Sequence, residues 1–176
     1  MFMTPALRKF VLTLHVMSSV GWLGAVAAFL ALAVAGLASG DAETGRAAYV
    51  AMDVAAWYVI VPLSFASPIT GLVQSLGTSW GLFRQYWVLV KFLMTLPSTL
   101  LLMVHMGPID HLAGMVATGS SGAMLHGMRM QLLIEASAAL VVLSVATVLS
   151  VYKPKGLTRY GWRRQQAGAA RQVSLG

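Results

Sequence analysis

Ionisable side chains are rare in this sequence, and the few inside its long apolar runs carry most of the chemical information. His15 lies in the first run, with Ser19 and Trp22 four and seven residues later, a spacing that places all three on one face of a helix. Lys91 lies in the third run. A neutral imidazole is a common axial ligand of haem iron, and a nearby lysine can ligate as a neutral amine or pair with a carboxylate as a cation. We therefore expect cofactor-binding residues at His15, Ser19, Trp22 and Lys91.

A second set of candidate ligands lies at the end of the third apolar run and in the segment that leads to the fourth. Thioethers and imidazoles select Cu(I), and this part of the chain combines His105 and His126 with Met103, Met106 and Met130. An alternative copper site is therefore expected at His105 and His126. Methionine is also an ordinary core residue, so the same pattern is compatible with simple packing.

The remaining ionisable residues within or beside the runs form a possible polar cluster near the opposite membrane surface. Asp53, His105 and Glu135 are expected at similar depths in their helices. The alternative to a functional site is a set of interfacial salt bridges, such as Glu135 with Arg129.

The composition requires a lipid solvent for most of the chain. Of 176 residues, 58% are hydrophobic and only 10% charged, too few ionisable groups to coat a soluble protein of this size. The net charge of +7 does not indicate nucleic acid binding, because the basic residues flank the apolar runs. The absence of cysteine excludes disulfides, thiolate metal sites and iron–sulfur clusters.

Four runs are long enough to cross a bilayer, at residues 10–38, 47–76, 86–106 and 131–152. Because backbone polar groups in lipid must be satisfied internally, these runs predict helices. The fold class is therefore an all-α polytopic membrane protein, a four-helix bundle in one domain over residues 1–152. Residues 153–176 form a basic tail with no acid, interpreted as a cytoplasmic topology anchor.

The basic residues predict the orientation of the bundle. Arg46 and Arg129 flank the runs on one side, whereas the other side carries nine basic residues: Arg8, Lys9, Arg84, Lys153, Lys155, Arg159, Arg163, Arg164 and Arg171. By the positive-inside rule both termini are cytoplasmic, as expected of a multi-pass protein of the bacterial inner (plasma) membrane. A cleaved signal peptide is the alternative for the first run, but the run is about twice the usual length of a signal's apolar core.

The flanking charges also predict the depths of the candidate ligands. His15 lies seven residues after Arg8, and Lys91 lies seven residues after Arg84, in two helices that run in the same direction. The two side chains should therefore be level. Without a cofactor, Lys91 would extend to the headgroups and His15 would bond a backbone carbonyl.

Two prolines in the second run predict a kink that would widen the bundle. Pro62 and Pro68 each remove a backbone donor and free the carbonyls of Tyr58 and Ser64. Ser64, Ser67 and Thr70 are positioned to repair those bonds. A flat macrocycle entering here could also pack on Trp22, Trp57 and Tyr58.

The sequence contains LHVMSSVGWLG from Leu14 to Gly24, YWVLVKF from Tyr86 to Phe92 and a later His105. This combination resembles an uncharacterised bacterial family of predicted integral membrane proteins. The pattern, over Leu14 to Tyr152, is also distantly similar to the HemJ-type protoporphyrinogen oxidases and to the membrane domain of CopD-type copper-resistance proteins. The HemJ resemblance matches a first-helix histidine to His15 and a W-x-x-x-K motif to Trp87 and Lys91. It implies b-type haem and tetrapyrrole oxidation. The arginine that follows the histidine in that family has no counterpart here, because Ser19 stands four residues on.

The sequence thus favours a membrane protein that binds b-type haem or a related tetrapyrrole through His15, for electron transfer or redox chemistry with a quinone or a membrane redox partner. As an enzyme it would be a membrane oxidoreductase surrounded by the lipid bilayer, and a homo-oligomer is compatible with the sequence. Two alternatives stay open. One is copper handling or transport at the outer face, and the other is a cofactor-free scaffold or regulatory subunit.

Overall fold

The computed structural model describes residues 3–77, 85–118 and 123–152, together with 156, 158, 162, 163 and 166. Its elements are α1 (Pro5–Ala38), α2 (Ala42–Ala55), a π-helical turn (Ala56–Ile60), α3 (Val61–Gly77), α4 (Tyr86–Ala117) and α5 (Ala123–Tyr152). Arg84 and nearly all of the predicted basic tail lie outside the described residues.

Four helical spans cross the molecule, which confirms the predicted all-α four-helix class and a multi-pass membrane protein. α1, α4 and α5 are one span each, and α2, the π-turn and α3 join into another of 36 residues. All four are long and apolar enough to cross a bilayer. The large apolar side chains that cover the bundle's outer surface, such as Phe10, Val104 and Val151, are therefore in contact with lipid acyl chains.

An even number of spans places the start of α1 and the end of α5 at the same end of the bundle. We call this the basic end, because Arg8 and Lys9 lie there. The other end, where α1 meets α2 and α4 meets α5, we call the acidic end. The five acids of the sequence lie in its half: Asp41, Glu43, Asp53, Asp110 and Glu135.

The helices at the acidic end are longer than predicted. α4 continues to Ala117 through Gly107 and Pro108, and α5 already begins at Ala123. The helix continues because Met106, Ile109 and Leu112 recur at helical spacing and are at most 5% exposed in the core. Tertiary packing thus overrides the helix-breaking tendency of the Gly-Pro pair. His111, expected in a connecting segment, lies within α4.

The second span changes its hydrogen-bonding pattern in the middle. The amide of Val61 donates to the carbonyl of Ala56, five residues earlier, and Pro62 follows with no amide hydrogen to offer. Beyond it, Pro68 leaves the carbonyl of Ser64 without its helical donor. The Thr99 hydroxyl of α4 donates a hydrogen bond to that carbonyl at 2.9 Å. The repair predicted from within the second span therefore comes from a neighbouring helix at this carbonyl.

Packing at the acidic end depends on a close approach of α1 and α2. A Cβ on Gly36 would lie only 2.8 Å from the nearest atom of the Tyr49 ring. Glycine at position 36 therefore lets an aromatic ring, 2% exposed, fill the space between the two helices.

Candidate functional site

A cluster of hydrogen-bonded side chains surrounds His15 in the half of the bundle nearer the basic end. The Nδ1 atom of His15 lies 3.0 Å from the carbonyl oxygen of Ser67 and 3.1 Å from the Thr70 hydroxyl, both on α3. Its Nε2 atom lies 3.3 Å from the Nζ atom of Lys91 on α4. Lys91 also donates to the Ser150 hydroxyl of α5 at 2.8 Å. We call these five residues the His15 cluster.

The cluster confirms that His15 and Lys91 lie at the same depth. α1, α4 and α5 each contribute one side chain, and α3 contributes a backbone carbonyl and a hydroxyl. The cluster therefore connects all four spans at this depth. His15 does bond a backbone carbonyl, as the cofactor-free alternative expects. Lys91, however, points to His15 and Ser150 inside the bundle and is half-buried.

The partners of His15 define which ring nitrogen carries the proton. The Ser67 carbonyl can only accept, so Nδ1 must donate to it. The Thr70 hydroxyl donates its proton to the carbonyl of Ala66 at 2.6 Å. Its oxygen can therefore act as a second acceptor for Nδ1 of His15. In a neutral ring, Nε2 then carries a lone pair, which accepts a hydrogen bond from the Lys91 ammonium. The contacts thus assign the Nδ1–H tautomer to His15.

The position of the ring also depends on a glycine of α3. A Cβ at Gly71 would lie 2.9 Å from Cε1 and 3.4 Å from Nδ1 of His15, so that no larger residue fits without moving the ring. The ring is therefore held against the α3 backbone by the Ser67 carbonyl and by the absence of a side chain at position 71.

Four residues of the His15 cluster line a cavity of about 500 Å³ between α1, α3, α4 and α5: His15, Ser67, Lys91 and Ser150. This volume is within the range of small-molecule sites, roughly 300–1,000 Å³. Its walls are mostly apolar, with Val16, Val20 and Phe92 among them, and its polar groups include Ser19 and Arg8. Ser19 also lies 2.8 Å from the Ser67 hydroxyl. Arg8 and Lys91 are the cavity's charged groups within the described part of the chain.

The aromatic residues expected beside the cofactor lie elsewhere. Trp22 is 3% exposed in the hydrophobic core with Val26 and Phe29, and it is not part of the cavity wall. Tyr58 is 79% exposed on the lipid-facing surface, and Trp57 donates to Asp110 at 2.7 Å. The aromatic side chains at the cavity are instead Trp87 and Phe92 of α4.

The acidic end contains paired charges in place of a cavity. The Nε2 atom of His105 lies 2.9 Å from Glu135, and its Nδ1 atom lies 2.7 Å from the Leu101 carbonyl. Both nitrogens thus face oxygen acceptors. Arg129 does not pair with Glu135 as the salt-bridge alternative expected; its guanidinium lies 4.9 Å from the centre of the Tyr49 ring.

Asp53 is placed beside Asp110, away from His105 and Glu135. The two carboxyl groups are close enough to interact electrostatically. Trp57 donates its indole N–H to Asp110 at 2.7 Å. The carboxyl groups expected at one depth therefore form two separate pairs, Asp53 with Asp110 and Glu135 with His105.

The predicted copper ligands His105 and His126 do not lie in a group of metal-binding His, Asp or Glu side chains within the described residues. Among residues 3–77, 85–118 and 123–152, no group of three or more His, Asp or Glu side chains is placed to hold a metal ion. His126 is exposed, and Nε2 of His105 would have to exchange its contact with Glu135 before it could ligate. Nε2 of His15 would have to exchange its contact with Lys91, and this nitrogen lies at the cavity.

Sequence reasoning missed three parts of the site: Ser150, Gly71 and the carbonyl of Ser67. Ser150 has one sequence signal, since it is a polar residue two positions before the end of the fourth apolar run. Gly71 and the carbonyl have none, because their roles depend on how closely α1 and α3 approach. Comparisons with protein-family models, curated proteins and solved structures gave no match to this chain.

Proposed function

We propose that the protein binds a b-type haem or a related tetrapyrrole in the cavity, where Nε2 of His15 would hold the iron. One observation carries the proposal: the Ser67 carbonyl holds Nδ1–H, so the Nε2 lone pair is available in a cavity with apolar walls. Histidines that ligate metals usually donate their other ring N–H to a carbonyl or carboxylate in this way. Bound haem would supply one-electron chemistry, in exchange with a quinone or a membrane redox partner.

The residues present fit such a group, provided that Lys91 moves. Its Nζ atom occupies the approach to Nε2 at 3.3 Å, but it keeps the Ser150 hydroxyl as an acceptor when it withdraws. A withdrawn Lys91 remains a cation at the cavity wall, where it can pair with a carboxylate of the ligand. His15 would then hold the iron, and Lys91 would stay at the cavity wall with Ser150.

Absorbance spectroscopy tests the proposal. The full chain, expressed with haem available and purified in detergent, should show a Soret band that His15→Ala removes or shifts. His111→Ala is the matched control, since His111 is exposed on α4 at the acidic end and should leave the band unchanged. Identical spectra for wild type and His15→Ala would refute ligation by His15, and a wild type that binds no haem would refute the proposed function.

We also propose that the protein resides in a bacterial inner membrane with its basic end in the cytoplasm. The nine-to-two division of flanking basic residues supports this orientation. A reporter fused after Gly176 should then read as cytoplasmic and one inserted near Ser120 as external. The opposite result would place the His15 cavity at the outer leaflet.

A further inference from the structure

The cavity at His15 has a cationic residue at its mouth. Arg8 lines the same cavity and precedes His15 on α1 by seven residues. Seven residues are two helical turns, or ~10 Å along the axis. Arg8 is exposed and Lys91 is half-buried beside His15, so the cavity extends from a guanidinium at the basic end to an imidazole and an ammonium at its inner end.

No acid of the chain can balance these charges. All five carboxylates of the sequence lie in the half of the bundle at the acidic end, and the ion pair found within the described residues, His105 with Glu135, is there as well. The Arg8 guanidinium makes no hydrogen bond or ion pair to any residue that the structure describes. Within the described part of the chain, the guanidinium is therefore available to a ligand.

We infer that Arg8 recognises the carboxylate end of the cavity's ligand, so that the ligand is an apolar macrocycle with carboxylates along one edge, bound with that edge at the basic end. The inference rests on the proposed tetrapyrrole site. A guanidinium presents a planar pair of donors that matches a carboxylate, and the apolar walls between Arg8 and His15 fit the body of the ring. A ligand without an anionic group, such as a neutral quinone, would leave Arg8 unused.

A metal-free porphyrin tests this inference without depending on iron ligation. Protoporphyrin IX and its dimethyl ester are titrated into the detergent-purified full chain, and the dissociation constants are measured by porphyrin fluorescence. The variants are wild type, Arg8→Gln and Lys9→Gln. Lys9 is the matched control, because it is a neighbouring exposed cation that does not line the cavity.

The diacid should bind about tenfold more tightly than the diester to wild type and to Lys9→Gln. Arg8→Gln should lose that preference, with binding of the diester unchanged. Equal binding of diacid and diester to wild type would overturn the inference, as would an equal loss in both variants, which would indicate general attraction to charge. Loss of the preference when phosphatidylglycerol is added to the micelles would assign Arg8 to lipid phosphate and overturn it too.

These outcomes separate the inference from the proposed function. A haem spectrum that depends on His15 but no diacid preference would refute only the role of Arg8. A diacid preference that depends on Arg8, in a protein whose haem spectrum does not respond to His15→Ala, would refute only iron ligation and would retain the carboxylate-bearing ligand.

Discussion

The two ends of the bundle handle charge in opposite ways. At the acidic end, His105 faces Glu135 at 2.9 Å, and Asp53 lies beside Asp110. At the basic end, Lys91 and His15 face only hydroxyls, a carbonyl and each other. Charges that are compensated within the chain serve the structure, whereas uncompensated charges around a cavity are available to a ligand.

The largest expected effect is on the free energy of unfolding when one charge is removed from each end. This free energy should rise for a charge removed at the basic end and fall for one removed at the acidic end. Lys91→Met replaces an uncompensated ammonium by an apolar chain of similar length, and we expect it to stabilise the ligand-free protein by up to about 2 kcal/mol. Glu135→Gln removes the partner of His105 and should destabilise by about 1 kcal/mol, since both side chains are partly exposed.

Thermal unfolding of the purified, ligand-free variants in one detergent measures both effects. For a chain of this size, 1 kcal/mol corresponds to a melting temperature shift of roughly 2–4 °C. A Lys91→Met protein less stable than Glu135→Gln would show that Lys91 already has its compensation within the chain, and the contrast between the ends would fail.

A smaller effect should follow from moving the His15 ring without changing any charge. In Gly71→Ala, the new Cβ pushes the imidazole from the Ser67 carbonyl, at a cost of about one hydrogen bond, or ~1 kcal/mol. Haem affinity should then fall about fivefold to tenfold. Gly24→Ala is the control, because a Cβ there meets nothing within 4 Å.

Nitrogen NMR of histidine-labelled protein gives a readout that needs no ligand. The Nδ1 and Nε2 resonances of His15 should shift in Gly71→Ala and remain in place in Gly24→Ala. If the two variants give identical histidine spectra, the ring is not held by its fit against Gly71.

The smallest effect concerns the cap of α2 at the acidic end. The Thr44 hydroxyl and the backbone amides of Thr44 and Glu43 donate to Asp41, and they hold the pKa of this carboxyl below its ordinary value of 3.8. A lowered pKa in the folded state adds stability above that ordinary value, and this contribution is lost as the pH falls through the folded pKa.

Asp41→Asn should therefore lower the melting temperature slightly at pH 5, and by less at pH 3. The effect is small because asparagine is itself a good N-cap residue and Asp41 is exposed. A difference that stays constant between pH 5 and pH 3 would mean that ionisation of Asp41 does not contribute to the stability of α2.

The sequence allowed the spans and the level of His15 and Lys91 to be predicted, because hydropathy and counting from the flanking charges depend only on helical geometry. It did not allow the partners at the acidic end to be predicted. Asp110 lies beyond the third predicted run, which ends at residue 106, so its position on α4 beside Asp53 could not be predicted. Trp22 was assigned to the cofactor because it shares a helix face with His15, but seven residues place it two turns deeper, in the core.

The π-turn in the second span corrects the phase of that helix. Its buried residues are Gly45, Ala48, Tyr49, Met52, Ala56, Ile60, Ser64, Ser67 and Ser75. Three successive steps of four residues, from Met52 to Ser64, surround the turn. A regular helix would rotate the second half of this series by about one residue, or ~100°, relative to the first. The extra residue cancels that drift. Tyr49 at the acidic end and the Ser67 carbonyl at His15 can thus both face α1. The register of the π-turn therefore determines whether the Ser67 carbonyl can accept the hydrogen bond of His15.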